Sequence, residues 1–276
     1  MTCRFLVTGA TGKTGAGTVR LLRERGHAVT AFVHRHDRRS AALAALGADV
    51  VAGDLRDLAA VTAATRGAEG VHLCYPVEPG LIEATATVAQ AAADNQVATV
   101  VNMSQVSARR DAVSNAAKEH WLAERLLDRG PFRTTHLRPT FFADWMIWGW
   151  SDEGDGGVIG LPFGSGRHAP ITSEDQARVI ATVLDDPLPH AGRTYQLYGP
   201  RETDHTGIAA VLTRVLGRPV RYEPMDLDAY RSGLLARGLP AHIVQHFAGV
   251  EDFAVAHRDD FHGIGQFAVP NPVQEN

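Results

Sequence analysis

Short apolar runs alternate with amphipathic segments over most of the chain. The apolar runs predict strands at residues 5–7, 28–33, 48–51, 71–75, 98–103, 134–137 and 194–197, and 3.6-residue periodicity predicts helices that include 81–94 and 115–129. Strands that alternate with helices in this way indicate an α/β protein with a parallel sheet. We therefore expect a Rossmann-type, doubly wound parallel sheet.

Three glycines follow the first predicted strand at three-residue intervals. Gly9 suits a tight turn, Gly12 lets the backbone approach a pyrophosphate, and Gly15 lets the next helix pack close to the strand. The helix then offers the free N–H groups of its first turn to phosphate. The spacing is G-x-x-G-x-x-G, whereas the standard fingerprint is G-x-G-x-x-G. The residues that we assign to this dinucleotide site are Gly9, Thr11, Gly12, Lys13, Thr14 and Gly15.

The end of the second predicted strand indicates which dinucleotide binds. A site selective for NAD(H) usually carries an acid about 20 residues after the glycines, where it bonds the ribose hydroxyls. Here Arg35 stands in that region, with Arg38 and Arg39 close by. A guanidinium binds a 2′-phosphate that a carboxylate would repel, so we expect NADP(H). A solvated loop of charges is the alternative interpretation.

Residues at the ends of the third and fourth strands complete the predicted cofactor site. Asp54, followed by Leu55, can accept a hydrogen bond from an adenine amino group, or Asp54 can cap the nearby helix. Tyr75 and Pro76 end the fourth strand, and ligands in open parallel sheets bind outside such carboxyl ends. We expect Tyr75 and Pro76 to wall the nicotinamide or its ribose.

Two side chains are candidates for catalysis. Ser104 follows the fifth strand, where its hydroxyl can bond a substrate carbonyl or satisfy the backbone. His120 shares one helix face with Ala116 and Glu124. A neutral His120 can orient a substrate carbonyl or the ribose, and a protonated one can donate a proton. The structural alternative is that His120 bonds Glu124 or a neighbouring carbonyl.

The composition of the chain changes near residue 150. Aromatic residues crowd between Phe141 and Trp150, and a glycine-rich stretch follows. We predict a dinucleotide domain at 1–150 and a smaller α/β substrate lobe at 151–276, from which a strand near 194–198 returns to the sheet. In that lobe, Ser173 and Gln176 fit a capping box that opens a helix. The aromatic cluster, including Trp145, is a flat pocket over the nicotinamide, inter-lobe core, or a homodimer surface.

Charge and cysteine content exclude several function classes. The 276 residues have a formal net charge of −4, which argues against a general nucleic-acid binder. Cys3 and Cys74 lie far apart in the sequence, so neither a disulfide framework nor a cysteine metal site is expected. No apolar run approaches the ~20 residues that span a bilayer, and the first strand begins too early for a signal peptide. A reduced, cytoplasmic setting without membrane contact is the expectation.

Six motifs in a shared order carry a family resemblance. They are GATGKTG at 9–15, HR at 34–35, GDL at 53–55, LRP at 137–139, ITSED at 171–175 and TYQLYGP at 194–200. The chain resembles the NmrA-like branch of the atypical short-chain dehydrogenases along its length to about residue 225. The resemblance implies an NADP(H)-binding Rossmann domain with a C-terminal substrate lobe. That branch contains quinone oxidoreductases and related reductases, and also regulators that bind dinucleotide without catalysis.

The chain departs from the short-chain dehydrogenase pattern at its proton relay. Typical members carry Tyr-x-x-x-Lys on the helix after the fifth strand, but here Ala116 and His120 occupy those places, and the frame that uses Lys118 gives Ser114. A quinone needs less acid assistance than a ketone, since its developing charge is delocalised. We therefore expect NADPH-dependent hydride transfer to a small quinone-like or conjugated carbonyl substrate. The alternatives are a silent redox sensor and a non-redox or coupling role in a biosynthetic pathway.

Overall fold

The computed structural model describes residues 2–249. Its strands are β1 (Arg4–Val7), β2 (Ala28–Val33), β3 (Asp49–Ala52), β4 (Gly70–Leu73), β5 (Thr99–Met103), β6 (Arg133–Pro139), β7 (Trp150–Asp152), β8 (Gly157–Leu161), β9 (Arg167–His168), β10 (Arg193–Leu197), β11 (Thr203–Asp204) and β12 (Val220–Pro224). Its α-helices are α1 (Lys13–Glu24), α2 (Arg38–Ala45), α3 (Leu58–Thr65), α4 (Leu81–Asp94), α5 (Asn115–Leu127), α6 (Ser173–Asp185), α7 (His205–Leu216), α8 (Leu227–Ala236) and α9 (Ala241–His246). A 3-10 helix, Ala143–Gly149, follows β6.

In the part of the chain that the structure describes, seven parallel strands form the central sheet, in the order β10-β6-β5-β4-β1-β2-β3. Their apolar, β-branched sequences suit strands that helices cover on both faces, and every residue of β4 and β5 is buried. The chain winds outward from β1 in both directions, so the Rossmann-type fold is confirmed. The strand order reverses between β1 and β4, where such sheets bind their ligands outside the carboxyl ends.

Two elements beyond residue 150, strand β10 and helix α6, pack with the central sheet. β10 pairs in parallel with β6 from Arg193 opposite Thr135 to Leu197 opposite Pro139. Helix α6 packs on α1, and its apolar face joins the core on that side of the sheet, where Ile180 and Leu184 are buried together with Leu22. We expected the strand to return to the sheet but had placed α6 in the smaller lobe. The stretch from 173 to 197 thus supplies both a helix and a strand to the dinucleotide domain.

The start of α6 differs from the predicted capping box. Thr172 is the N-cap: its Oγ1 accepts from the Asp175 N–H at 3.0 Å and donates to the Asp175 carboxylate at 2.7 Å. Ser173 is the first helical residue, and Gln176 is buried against the core. The Ser173–Gln176 prediction is therefore wrong by one residue, because a threonine and an aspartate at the same spacing form the cap.

The other C-terminal elements form a smaller unit with its own core. β8 pairs antiparallel with β7 and parallel with β12. Ile159 and Leu161 of β8 are buried with Ala209 of α7 and Leu234 of α8. None of the helices within 2–249 is long and apolar enough to cross a membrane. Residues 250–276 of the predicted substrate lobe lie outside the described residues.

Candidate active site

The turn between β1 and α1 requires its glycines. Gly9 has a φ of 58°, which favours glycine. A Cβ on Gly15 would lie 2.3 Å from the carbonyl oxygen of Gly9, so another residue there would push α1 away from the turn. Gly12 is the N-cap of α1 and gives no side-chain cap, which leaves first-turn N–H groups for a ligand. The predicted phosphate residues Gly9, Thr11, Gly12, Lys13, Thr14 and Gly15 all lie in this turn or in the first turn of α1.

Lys13 contacts the segment that follows β6. Its Nζ lies 3.0 Å from Oδ1 of Asp144, whose Oδ2 accepts the Ser173 N–H at 3.0 Å. Asp144 therefore joins the glycine turn to the start of α6, and it directly precedes Trp145. No local sequence pattern marks Asp144, because its partner Lys13 lies 131 residues away.

The arginines after β2 differ in their surroundings. Arg39 bonds Asp37 with Nε at 3.0 Å and Nη2 at 2.8 Å, and Asp37 in turn caps α2. Arg35 and Arg38 are exposed, and within the described residues neither makes a hydrogen bond or ion pair. Of the three predicted guanidinium groups, these two have no side-chain partner among the described residues, and their contacts with a phosphate stay predictions.

Asp54 lies at the same end of the sheet, after β3. Arg56 holds it with two side-chain hydrogen bonds of 3.0 and 2.7 Å, and this pairing lowers the pKa of Asp54 to about 2. The alternative that Asp54 caps the next helix is wrong, because Asp57 caps α3 by accepting the Ala59 and Ala60 N–H groups. Leu55 packs partly buried against the core beneath. The adenine contacts of Asp54 and Leu55 stay predictions.

A cavity of about 270 Å³ opens outside the carboxyl ends of β4, β5 and β6. Its wall includes Tyr75 and Pro76 after β4 and Ser104 after β5. His120 of α5 lines the same cavity, as do aromatic and apolar residues of both units, including Phe141, Trp145, Phe163 and Phe247. The cavity therefore brings together the predicted catalytic residues and the predicted nicotinamide wall. No group of three or more potential metal ligands occurs among the described residues.

The imidazole of His120 is buried and neutral. Burial and the neighbouring His246 lower the pKa of His120 to about 4, whereas the charge of Glu124 acts in the opposite direction. Its Nδ1 is buried without a hydrogen-bond partner, so the expected bond to Glu124 is not made through that atom. His246 of α9 lies 2.9 Å from Oγ of Ser114, the N-cap of α5. A neutral imidazole suits the orienting role better than the proton-donating role.

The hydroxyl of Ser104 is held by a buried ion pair. Oγ donates to Oε1 of Glu124 at 2.6 Å, and Glu124 is completely buried. Arg138 completes the pair, with Nε at 2.8 Å from Oε1 and Nη2 at 2.6 Å from Oε2. Helical periodicity predicts the face on which Glu124 lies, but the sequence does not show that Glu124 pairs with Arg138 of β6. Because buried charges are usually paired, an arginine and a glutamate that both lie in buried segments could have indicated this ion pair.

The predicted aromatic cluster divides between two places. Phe141 and Trp145 line the cavity, edge to face, with ring centroids 5.7 Å apart. Trp150 packs, partly buried, against the core of the smaller unit, with the guanidinium of Arg218 5.5 Å from its ring centroid. Trp148 stacks on Trp145 but is 42% exposed. Phe141 and Trp145 line the cavity and also contact that core, whereas Trp150 contacts the core without lining the cavity.

Comparison with known proteins places this site in a family. The model of the NAD(P)H-binding family matches residues 9–187. The chain is 28% identical over 262 residues to the NAD(P)H azoreductase of Xenophilus azovorans, a match that covers 94% of this chain and 90% of that protein. It is 32% identical over 244 residues to the (4-alkanoyl-5-oxo-2,5-dihydrofuran-3-yl)methyl phosphate reductase of Streptomyces griseus, covering 86% and 82%.

A solved structure extends the comparison to the fold and the cofactor. The NADPH-dependent quinone oxidoreductase of Escherichia coli, crystallised with NADPH, is similar with a TM-score of 0.74 and 26% identity, and the match covers 91% of this chain and 88% of that one. The chain therefore belongs to the NAD(P)H-binding family and is an NAD(P)H-dependent oxidoreductase.

Proposed function

We propose that the protein uses NADPH to reduce a flat conjugated acceptor, such as a quinone, in the cavity beside β4, β5 and β6. The place and lining of this cavity carry the proposal. It lies where an open parallel sheet binds its ligands, between Tyr75 and Pro76 on one side and Phe141 and Trp145 on the other. Aromatic side chains of this kind stack on flat conjugated rings.

The residues around the cavity position the substrate and exclude water. Bound NADPH supplies a hydride, so a quinone that takes this hydride and one proton from solvent becomes a hydroquinone. Neutral His120 orients the ring by a hydrogen bond, and the apolar walls desolvate it. Because the charge that develops on a quinone is delocalised, the absence of a tyrosine on α5 at the family position is compatible with this reaction.

Arg35 and Arg38 support the choice of NADPH over NADH. Both are exposed at the end of β2, where they are free to bind a 2′-phosphate. The names of two relatives, an azoreductase and a quinone oxidoreductase, point to the same kind of acceptor. We expect side chains to fill this cavity in a silent sensor. The cavity of about 270 Å³ is open, which argues against the sensor hypothesis.

Oxidation of NADPH, followed with a panel of quinones, enones and aromatic polyketides, tests the proposal. We expect turnover with at least one quinone. Trp145→Ala should raise the KM of that quinone by about 2- to 12-fold, since an aromatic pair contributes roughly 0.5–1.5 kcal/mol. Trp121→Ala is the matched control, because Trp121 lies on α5 outside the cavity wall. A protein that binds NADPH but oxidises it with no member of the panel would contradict the proposal.

A further inference from the structure

Glu124 fixes the direction of the Ser104 hydroxyl. Three donors point at this buried carboxylate: Nε and Nη2 of Arg138 and Oγ of Ser104, at 2.8, 2.6 and 2.6 Å. An ionised carboxylate only accepts hydrogen bonds, so the hydrogen of Ser104 must point at Glu124. The hydroxyl therefore has no hydrogen left for the cavity. This differs from our expectation that Ser104 donates to a substrate carbonyl.

The oxygen of Ser104 still has lone pairs for a ligand. Ser104 lines the cavity, and within residues 2–249 no other group donates to its Oγ. A ligand group that meets this oxygen must therefore carry an O–H or N–H. A carbonyl or ether oxygen in the same place would face lone pairs and would leave both acceptors without a partner.

Three further polar atoms in the cavity wall lack partners. Nε2 of Gln105, Nδ1 of His120 and Oγ1 of Thr140 are buried without a hydrogen bond, and all three residues line the cavity. The protein groups among the described residues therefore do not satisfy every polar side chain of the cavity wall.

We propose that the cavity selects conjugated acceptors that carry a hydroxyl or N–H group. The ligand hydroxyl or N–H donates to Oγ of Ser104. Ser104 is then a specificity-determining residue, and Glu124 and Arg138 are positioning residues that act through it. This inference rests on the proposed function, since it names the substrate class of the same cavity.

A matched pair of substrates tests the inference. A hydroxymethyl-substituted naphthoquinone and its methyl ether share the reducible ring, and only the alcohol can donate. We expect kcat/KM to favour the alcohol about tenfold, which corresponds to about 1.4 kcal/mol. Ser104→Ala should bring this ratio to about one, mainly by raising the KM of the alcohol. The dissociation constant of NADPH should stay unchanged.

Two further variants sharpen the test. Ser107→Ala is the matched control, because Ser107 lines the cavity without contacting Glu124, and it should keep the preference for the alcohol. Glu124→Gln leaves one acceptor oxygen for three donors, so the Ser104 hydrogen becomes free to turn towards the cavity. The preference for the alcohol should therefore fall in Glu124→Gln. If that variant does not fold, the Ser104→Ala result decides.

Several outcomes would overturn the inference. These are equal kcat/KM for the two substrates in the parent, an unchanged ratio in Ser104→Ala, an equal loss in Ser107→Ala, and a loss of NADPH affinity in Ser104→Ala. If the parent reduces neither quinone, the proposed function fails, and tryptophan fluorescence quenching in the presence of NADP⁺ still compares the binding of the pair. Tighter binding of the alcohol would support the inference without turnover, and equal binding would overturn it.

Discussion

Arg35 is the residue that we expect to decide between the two dinucleotides. It is exposed and without a protein partner in the described residues, whereas Arg39 is already bonded to Asp37. Arg35→Ala should reduce the preference for NADPH over NADH by about 10- to 150-fold, because a charge-assisted hydrogen bond contributes about 1.5–3 kcal/mol. Dissociation constants for both cofactors measure this, with Arg39→Ala as the control. Equal affinities in the parent protein would refute the assignment.

His120 yields a prediction about the pH dependence of turnover. Its pKa is lowered to about 4, so the neutral ring dominates above that pH and its protonated form is scarce near neutrality. We expect the kcat profile between about pH 6 and 8 to show no ionisation that belongs to His120. His120→Ala should lower kcat while leaving the shape of the profile and the NADPH affinity unchanged. An ionisation near pH 7 that disappears in this variant would show that the imidazolium donates a proton.

The sequence predicted the positions of single residues better than their partners. Helical periodicity placed Ala116, His120 and Glu124 on one face, and all three are buried. It could not show that Glu124 holds Ser104 and Arg138, because these residues meet only when β5, β6 and α5 pack together. Asp54 failed as a helix cap for a related reason: two aspartates lie near the start of α3, and local composition does not choose between them.

We expect cofactor binding to depend on the glycine turn. A Cβ at Gly12 would lie 3.1 Å from the Gly9 carbonyl oxygen, and a branched side chain would fill the space that a pyrophosphate needs. Gly12→Val should abolish NADPH binding while the protein still folds, as judged by calorimetric titration and circular dichroism. Unchanged affinity in a folded Gly12→Val variant would place the phosphate site elsewhere.

Gly15 and Gly233 form a contrasting pair of helical glycines. Gly15→Ala forces a Cβ to within 2.3 Å of backbone, whereas a Cβ at Gly233 in α8 meets nothing within 4 Å. We expect Gly15→Ala to lower the free energy of unfolding, and Gly233→Ala to raise it by about 0.5–1 kcal/mol. Urea denaturation of the two variants beside the parent measures both changes. A stabilising Gly15→Ala would contradict the close packing of α1 on the turn.

Elements with strong periodicity were predictable, and elements defined by tertiary contact were not. The predicted ranges 28–33 and 81–94 coincide with β2 and α4. Strands β9 and β11 have two residues each, and no periodicity can reveal so short a segment. The sequence predicts α6 as a helix of the smaller lobe, whereas it packs on α1 beside the central sheet. Its apolar stripe indicates that one face is buried but does not indicate which element covers that face.

At the scale of the whole molecule, buried histidines should make the fold sensitive to acid. Burial lowers the pKa of His72, His120, His205 and His246 to about 4, from an ordinary value of 6.5. Between these two pH values the unfolded chain binds protons that the native state excludes, so stability falls as pH falls. Each such histidine contributes a slope of up to about 1.4 kcal/mol per pH unit.

Urea unfolding at pH values from about 7 to 4 measures this dependence. His72→Leu removes one titrating group at a fully buried position in β4. It should lower the number of protons taken up on unfolding by about one, and so reduce the slope of stability against pH. The exposed His34 gives the control, and His34→Leu should leave the slope unchanged. A parent stability that does not change across this range would mean that the buried imidazoles titrate normally.

Asp144 connects the glycine turn to the wall of the cavity. Its carboxylate holds Lys13 of the glycine turn and the start of α6, and its chain neighbour Trp145 lines the cavity. We expect a pyrophosphate on the turn to compete with Asp144 for the same ammonium, so that cofactor binding changes the restraint on the cavity wall. Linkage then requires that substrate and NADPH change each other's affinity by one common factor. Asp144→Asn should diminish this coupling, which dissociation constants for each ligand in the presence and absence of the other measure.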